Sequence, residues 1–368
     1  MVPIRHKVGK NTKVKILFIG LKYDYGNPKR GYSFEYYNFY DSLVRMNGGA
    51  HEVVYFPFDE VMMKIGRDSM NRELLRTVSV EKPDLCFFFL FTDQIKKETI
   101  KFISEKSGSV TFNWFADDYW RFYSYSKYYA PLFNWVSTTT DRSAELYAKM
   151  GYKNVIKSEF ACNHFLYKPF VSNKVYDVAF VGQSNKVRSV LVDHLDNSGI
   201  DIECFGSGWP NGRLTQEEMI KIFSNSKINL NISGPSGNYG IKSFLTVFLH
   251  KKGWKIGLNN PNRWYGNLKS FYFMGKCNQI KGRNFEIPGC GGFLVTSRID
   301  GLDKYYADGK EIIIFEDKDD LIDKIKYYLS HEVEREFIAR AGYERTLRDH
   351  TYEKRFNDLF ERMGLDNK

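Results

Sequence analysis

The sequence predicts an α/β protein of two Rossmann-like, doubly wound domains, and three observations carry that prediction. At 368 residues the chain is longer than one ordinary hydrophobic core supports. Short apolar runs that read as buried parallel strands alternate with segments of helical spacing, the pattern of a parallel sheet covered by helices. The alternation also restarts: KVKILFIG (13–20) opens one series, and YDVAFVG (176–182) opens a second after a polar stretch containing Pro169. The expected division is an N-terminal domain over 1–170 and a C-terminal domain over 171–345 with a basic, aromatic insertion at 234–278. A last helix over 346–368 is expected to cross back to the first domain.

In the first half, the strand at 13–20 leads into a loop with Gly26 and Gly31, and 34–46 spaces Phe34, Tyr37, Leu43 and Val44 as a helix does. HEVVYFPF (51–58) is a second strand, followed by helix up to Ser79. Residues 83–91 form a strand and 92–107 a helix with Thr92 as N-cap. SVTFNWF is the next strand, ending at Ala116-Asp117-Asp118, and NWVSTTT with 141–150 adds another strand and helix. In the second half, helical spacing over 188–195 follows YDVAFVG, and IDIECFGSGW is a strand running into Gly206 and Gly208. Thr215 and Glu218 form a capping box at the start of a helix reaching Phe223. KINLNIS and EIIIF are further strands, the latter followed by a helix over 319–329.

Composition narrows the class. A hydrophobic content of 43% and an aromatic content of 17% supply two large cores. The longest apolar run, LCFFFLF (85–91), is far short of the roughly 20 residues of a membrane span. KILFIG is too short for a signal-peptide core, so a soluble cytoplasmic protein is expected. Cys86, Cys162, Cys204, Cys277 and Cys290 are odd in number and scattered, which favours buried free thiols over disulfides or zinc. Neither half has GxGxxG after its first strand, and GxxxxGK[ST], HExxH and GxSxG are absent, so the usual signatures of hydride transfer, P-loop phosphoryl transfer, zinc proteolysis and serine hydrolysis are missing.

The net charge of +10 has a location. Between Glu218 and Glu286 there is no Asp or Glu, while eleven Lys and Arg fall in that interval. A field of one sign attracts anions. Within it, HKKGWKIG (250–257) and NRWYGNLKSFYFMGK (262–276) interleave aromatics with cations. Lys251, Lys252, Trp254, Arg263 and Trp264 are therefore candidate acceptor-binding residues. Such a surface suits a stacked nucleotide of DNA or an anionic membrane, and equally an aromatic-cored insertion with a solvated basic face.

Three further clusters can carry chemistry. Asp117 and Asp118 end a predicted strand among aromatics, where desolvation and mutual repulsion can raise one pKa and make a general base. An ordinary loop carboxylate pair would read the same way. The two acids are adjacent rather than separated as in a metal-binding Asp-x-Asp, so no metal is expected. VGQSNKVR places Gly182, Ser184, Lys186 and Arg188 at a strand-to-helix turn, where free N–H groups and cations bind phosphate. Gly208 in GSGW lets a flat ring approach the backbone. QIKGRNFEIPGCGGFLVT (279–296) gathers Lys281, Arg283 and Glu286 ahead of Gly289, Gly291 and Gly292. If a helix starts there, Arg283 and Glu286 share one face. A guanidinium suits a diphosphate and a carboxylate suits two ribose hydroxyls.

These residues carry a likeness. IKGRNFEIPGCGGFLVT, YYADGKEIIIF, DDLIDKIKYYL and HTYEKRF resemble the C-terminal region of spore-maturation-type glycosyltransferases of the GT-B fold. VGQSNKVRSVLVDHL, SKINLNIS, FNWFADDYW and STTTDRSAELYAKMGYKN resemble the same family, whose compact pattern lacks the long segment at 234–278. The resemblance implies two Rossmann-like domains facing across a cleft and transfer from a nucleoside-diphosphate sugar without a cofactor or bound metal. It implies that Glu286 holds the donor ribose, that Arg283 and the 186–188 turn face the diphosphate, and that Asp117 or Asp118 serves the acceptor. The acceptor stays open: a glycan, glycolipid or protein, or a modified base in DNA. A non-catalytic nucleotide-sugar-binding protein is the alternative from another class.

Overall fold

The structure, a computed structural model, describes residues 13–170, 173–233, 240–252, 255–276 and 278–365. These fall into two compact units. The first holds the described residues up to Glu159, the 240–276 segment and the residues from Glu353 on; the second holds those from Phe160 to 233 and from 278 to Tyr352.

The first unit is built on β1 (Lys15–Gly20), β2 (Glu52–Pro57), β3 (Leu85–Phe88), β4 (Val110–Phe115), β5 (Trp135–Thr138) and β6 (Val155–Lys157). They form one parallel sheet in the order β2-β1-β3-β4-β5-β6. Ile16 to Ile19 are all fully buried, the continuous burial of a strand covered on both faces. The order turns at β1, between β2 and β3, which makes the carboxyl ends of β1 and β3 a switch point, where open α/β sheets bind ligands.

The second unit is built on β7 (Tyr176–Val181), β8 (Ile202–Phe205) and β9 (Ser226–Asn231), joined later by two more strands. The hairpin of β10 (Leu249–Lys252) and β11 (Lys255–Leu258) intervenes in the chain but belongs to the first unit. With β12 (Leu294–Ser297) and β13 (Ile313–Phe315) the second sheet is parallel throughout, in the order β13-β12-β9-β7-β8. Its switch point lies between β7 and β9. Both units are thus doubly wound parallel sheets, as the alternation and its restart predict. The capping box at Thr215 and Glu218 is present and opens the helix Gln216–Asn225.

Several elements differ from the sequence-based expectation. The helix expected from Thr92 begins only at Lys97. Residues 92–96 are held as a loop: Asn71 Nδ2 and Arg67 Nε donate to the Gln94 carbonyl, and Lys96 N donates to Asn71 Oδ1 at 2.8 Å. The Thr92 carbonyl accepts from Tyr125 OH at 2.6 Å. The helix following β1 contains a π-helical turn, Tyr36–Tyr40, before Asp41–Gly49. Unanticipated are the short strand β6 and a helical run after β4, Asp118–Arg121, which passes through a π-helical turn, Phe122–Ser126, into Lys127–Tyr129.

That unanticipated run explains why the 240–276 segment sits with the first unit although the sequence groups it with the second. The helix Trp264–Lys276 packs onto it at Gly266, where a Cβ would lie 2.6 Å from the Tyr123 carbonyl oxygen. Ser270 Oγ donates to Ser124 Oγ at 2.9 Å, and Phe273 stacks on Tyr123 and lies under Arg142. The C-terminal helix Tyr352–Arg362 returns to the first unit as well. Phe356 lies with its ring centroid 5.5 Å from Phe39 and 5.6 Å from Phe87, and Glu353 accepts from Asn47 N at 2.6 Å. Residues 346–352 stay with the second unit. No helix among the described residues is long and apolar enough to cross a membrane.

Candidate functional site

The second unit gathers charged groups beside its switch point. Helix Arg283–Gly289 is short and almost wholly buried, with Arg283 and Glu286 one turn apart and ion-paired. Its position is fixed from below. Asn284 Nδ2 and Asn231 Nδ2 both donate to Thr296 Oγ1, tying the helix to the ends of β9 and β12, and Asn284 Oδ1 accepts from Lys281 N at 3.0 Å. Lys281 Nζ donates to Gln279 Oε1 at 2.8 Å. Gly292 is packed for space: a Cβ there would lie 2.7 Å from the Phe223 carbonyl oxygen and 2.8 Å from Asn229 Nδ2. Gly291 takes a left-handed conformation, φ +69°.

The loop after β7 closes on the loop after β8. Ser184 N donates to the Ser207 carbonyl at 2.9 Å, and Trp209 Nε1 donates to the Gly182 carbonyl at 2.9 Å. Gly208, at φ +90°, would bring a Cβ within 2.9 Å of Ser184 Cβ, so its bareness lets the loops meet. Asn185 caps the helix Lys186–Asn197 by accepting from Arg188 N. Lys186 is exposed, whereas Arg188 turns back: its Nη1 donates to the Gln183 carbonyl at 2.7 Å and its Nη2 to the Ile232 carbonyl at 3.0 Å. One guanidinium thereby spans the switch point from the end of β7 to the end of β9.

This arrangement is incomplete by itself. Among the described residues, Arg188 Nε, Arg283 Nε and Glu286 Oε1 are buried without a hydrogen-bond partner. Burial depresses the Arg188 pKa, and the nearby Arg283 charge depresses it further. Burial works the same way on Arg283, but the Glu286 and Tyr167 side chains outweigh it and raise its pKa overall. Two guanidiniums near one carboxylate leave an excess of buried positive charge, and an unmet buried donor or acceptor costs about 1–3 kcal/mol. An anion with adjacent hydroxyls meets all three needs.

In the first unit the two predicted acids have different environments. Asp117 is half-buried, and its carbonyl accepts from Arg121 N at 2.9 Å. Asp118 is 1% exposed and accepts from Tyr147 OH at 2.8 Å. Burial, reinforced by Asp117, pushes its pKa up to about 7 against the hydroxyls of Ser126, Tyr147 and Thr138. Sequence reasoning did not single out a second buried acid, Glu35, in the helix that follows the β1 loop. Burial pushes it also to about 7, with Asp24 and Asp59 adding to the rise. Its signal was there to read: it is the lone acid in the aromatic run GYSFEYYNFY.

Of the candidate acceptor residues, Arg263 is exposed and lies over the Tyr128 ring, and Trp264 Nε1 donates to the Asn259 carbonyl. Lys251 and Lys252 are backbone partners in the hairpin, opposite Ile256 and Lys255. Trp254 lies outside the described residues. Among the described residues no three His, Cys, Asp or Glu side chains group as metal ligands. Cys86, Cys162, Cys204 and Cys290 are buried and free; Cys277 lies outside the described residues.

Comparison with known proteins agrees with this architecture. Residues 253–361 match a glycosyl transferase-like family. The whole chain is similar to solved GT-B glycosyltransferase structures. Anabaena HepE in complex with UDP and glucose superposes with a TM-score of 0.57 at 11% identity, over 95% of this chain and 99% of that one. Sucrose-phosphate synthase from Thermosynechococcus elongatus gives 0.58 at 9% identity, over 96% and 99%. A DNA-modifying β-glucosyltransferase solved with and without uridine diphosphoglucose gives 0.54 at 14% identity, over 94% and 98%. The fold is therefore GT-B. No curated protein matches the chain by sequence.

Proposed function

We propose that this protein is a glycosyltransferase that moves a sugar from a nucleoside-diphosphate donor to a hydroxyl acceptor. One observation carries the reading: the buried, partnerless Arg188 Nε, Arg283 Nε and Glu286 Oε1 collected at the switch point of the second sheet. A diphosphate satisfies the two guanidiniums, and ribose hydroxyls donate to Glu286 Oε1. The match of 253–361 to a glycosyl transferase-like family and the UDP-bound neighbours of the same fold support it. Spore-maturation-type kinship, carried by the motifs of 280–296 and 181–195, is part of this proposal.

In the reaction, the acceptor oxygen bonds to the anomeric carbon as the bond from that carbon to the diphosphate oxygen breaks. The hydroxyl proton passes to a carboxylate, and the diphosphate leaves with the electron pair. Arg188, Arg283 and Lys281 stabilise the charge it gains, as preorganised cations do where charge develops, so no metal is required. Asp117 keeps the exposure a proton acceptor needs. Asp118, held by Tyr147, positions the helix that begins there.

Glu286→Gln keeps the volume and removes the charge, so its affinity for the preferred nucleoside diphosphate falls by about 1.5–3 kcal/mol. Calorimetry with a panel of nucleoside diphosphates measures it; an affinity equal to wild type overturns the assignment. A second reading, transfer to a base in DNA, is favoured by the likeness to the DNA-modifying β-glucosyltransferase. It requires DNA binding that weakens steeply with salt.

A further inference from the structure

The 240–276 segment hides its own small core and turns apolar side chains outward. Within it, Asn259 Nδ2 donates to the Thr246 carbonyl and Asn267 Nδ2 to the Val247 carbonyl, while Phe248 packs edge-on to Trp264. That scaffold fixes three outward edges. On the helix Trp264–Lys276, Gly266, Ser270 and Phe273 face the first unit, so Tyr265, Leu268 and Tyr272 at i, i+3 and i+7 form an exposed stripe. On the helix Ile241–Leu245, Ile241 is 80% exposed and shares its face with Leu245. On the hairpin, Ile256 and Leu258 are two apart in β11, on one face, 70% and 71% exposed.

The charges that this segment itself carries are of one sign. Residues 240–276 contain seven Lys and Arg and no acid, and Lys269 and Lys276 lie over the rings of Tyr265 and Tyr272. We infer that this module docks the first unit on an anionic membrane surface, with the aliphatic and tyrosine side chains in the headgroup boundary and the cations on the phosphates. The composition decides among occupants. Nucleic acid is held by stacking on aromatics, to which exposed Ile241, Ile256, Leu258 and Leu268 add nothing. A second copy would set seven cations against seven. A lipid surface takes both the aliphatics and the charge. The inference goes beyond the transferase reading and stands apart from it.

Sedimentation of the full chain with vesicles tests it, using phosphatidylcholine alone or mixed in equal parts with phosphatidylglycerol. Binding is expected to the mixed vesicles, weakened by salt. The double variant Leu258→Asp, Leu268→Asp is expected to bind about tenfold or more weakly, since two exposed apolar side chains lose their insertion. Leu268→Ser alone, a milder change at a half-exposed site, is expected to give an intermediate loss with an unchanged melting temperature. UDP binding by the second unit is unaffected in each, which separates this test from that of the transferase reading. Absence of binding to mixed vesicles at low salt overturns the inference, as does equal binding by the double variant. It is overturned as well if the double variant instead abolishes duplex DNA binding or self-association.

Discussion

At the scale of single residues, the switch-point cluster holds buried charged groups with unmet hydrogen-bonding atoms. Arg188 and Arg283 are not interchangeable with lysine there, because Arg188 already spends two donors on the carbonyls of Gln183 and Ile232 and still has Nε to offer. The Arg283–Glu286 pair was legible from spacing alone, three residues apart at a helix start. The part of Arg188 was not, because the carbonyl it reaches lies 44 residues away and belongs to another strand. Asp118 makes a different prediction. Its folded pKa, about 7, is above the 3.8 of an ordinary aspartate. Between those values the folded protein keeps a proton the unfolded chain has released. Stability therefore falls as pH rises through that window, by up to about 1.4 kcal/mol per unit, and levels off above it. Asp118→Asn removes this contribution, and denaturant titrations across the window are expected to show a shallower slope, with Glu35 accounting for what remains.

At the scale of elements, periodicity found strands wherever burial on both faces makes them continuously apolar, as in KILFIG and YDVAFV. It failed where aromatics crowd a run without a helical spacing. In DYWRFYSYSKYY the helical run carries a π-helical turn, so no 3.6-residue pattern survives. It failed again at Thr92, where side chains from another helix, Arg67 and Asn71, take the backbone that a cap would have organised. The helix Trp264–Lys276 lies on the unanticipated run through one bare position. Gly266→Ala places a Cβ 2.6 Å from the Tyr123 carbonyl oxygen, which is backbone and cannot swing aside. The expected cost is about 1–3 kcal/mol. Limited proteolysis within 240–276 is expected to quicken in this variant, and a cleavage rate equal to wild type would show that the helix docks by other means.

At the scale of the whole molecule, the chain is threaded rather than divided. The first unit is assembled from three separated stretches and the second from two. The count of two Rossmann-like halves was readable in the sequence because each opens with its own apolar strand. The ownership of 240–276 was not, because chain order places it inside the second series while packing at Tyr123 and Ser124 places it in the first. Phe356, wholly buried against Phe39 and Phe87, carries the same lesson at the other end. Phe356→Ala is expected to destabilise the first unit by about 3–5 kcal/mol. Calorimetry is expected to show one transition that shifts while the transition of the second unit holds.

The ring of Phe356 also sets a timetable for biosynthesis. Phe39 and Phe87 emerge from the ribosome early, yet the side chain that covers them is translated more than 260 residues after Phe87. At about 5–20 residues per second, the nascent sheet waits on the order of tens of seconds with that apolar face uncovered. A chain stopped short of Phe356 therefore leaves this face of the first sheet uncovered although every strand of that sheet has been made.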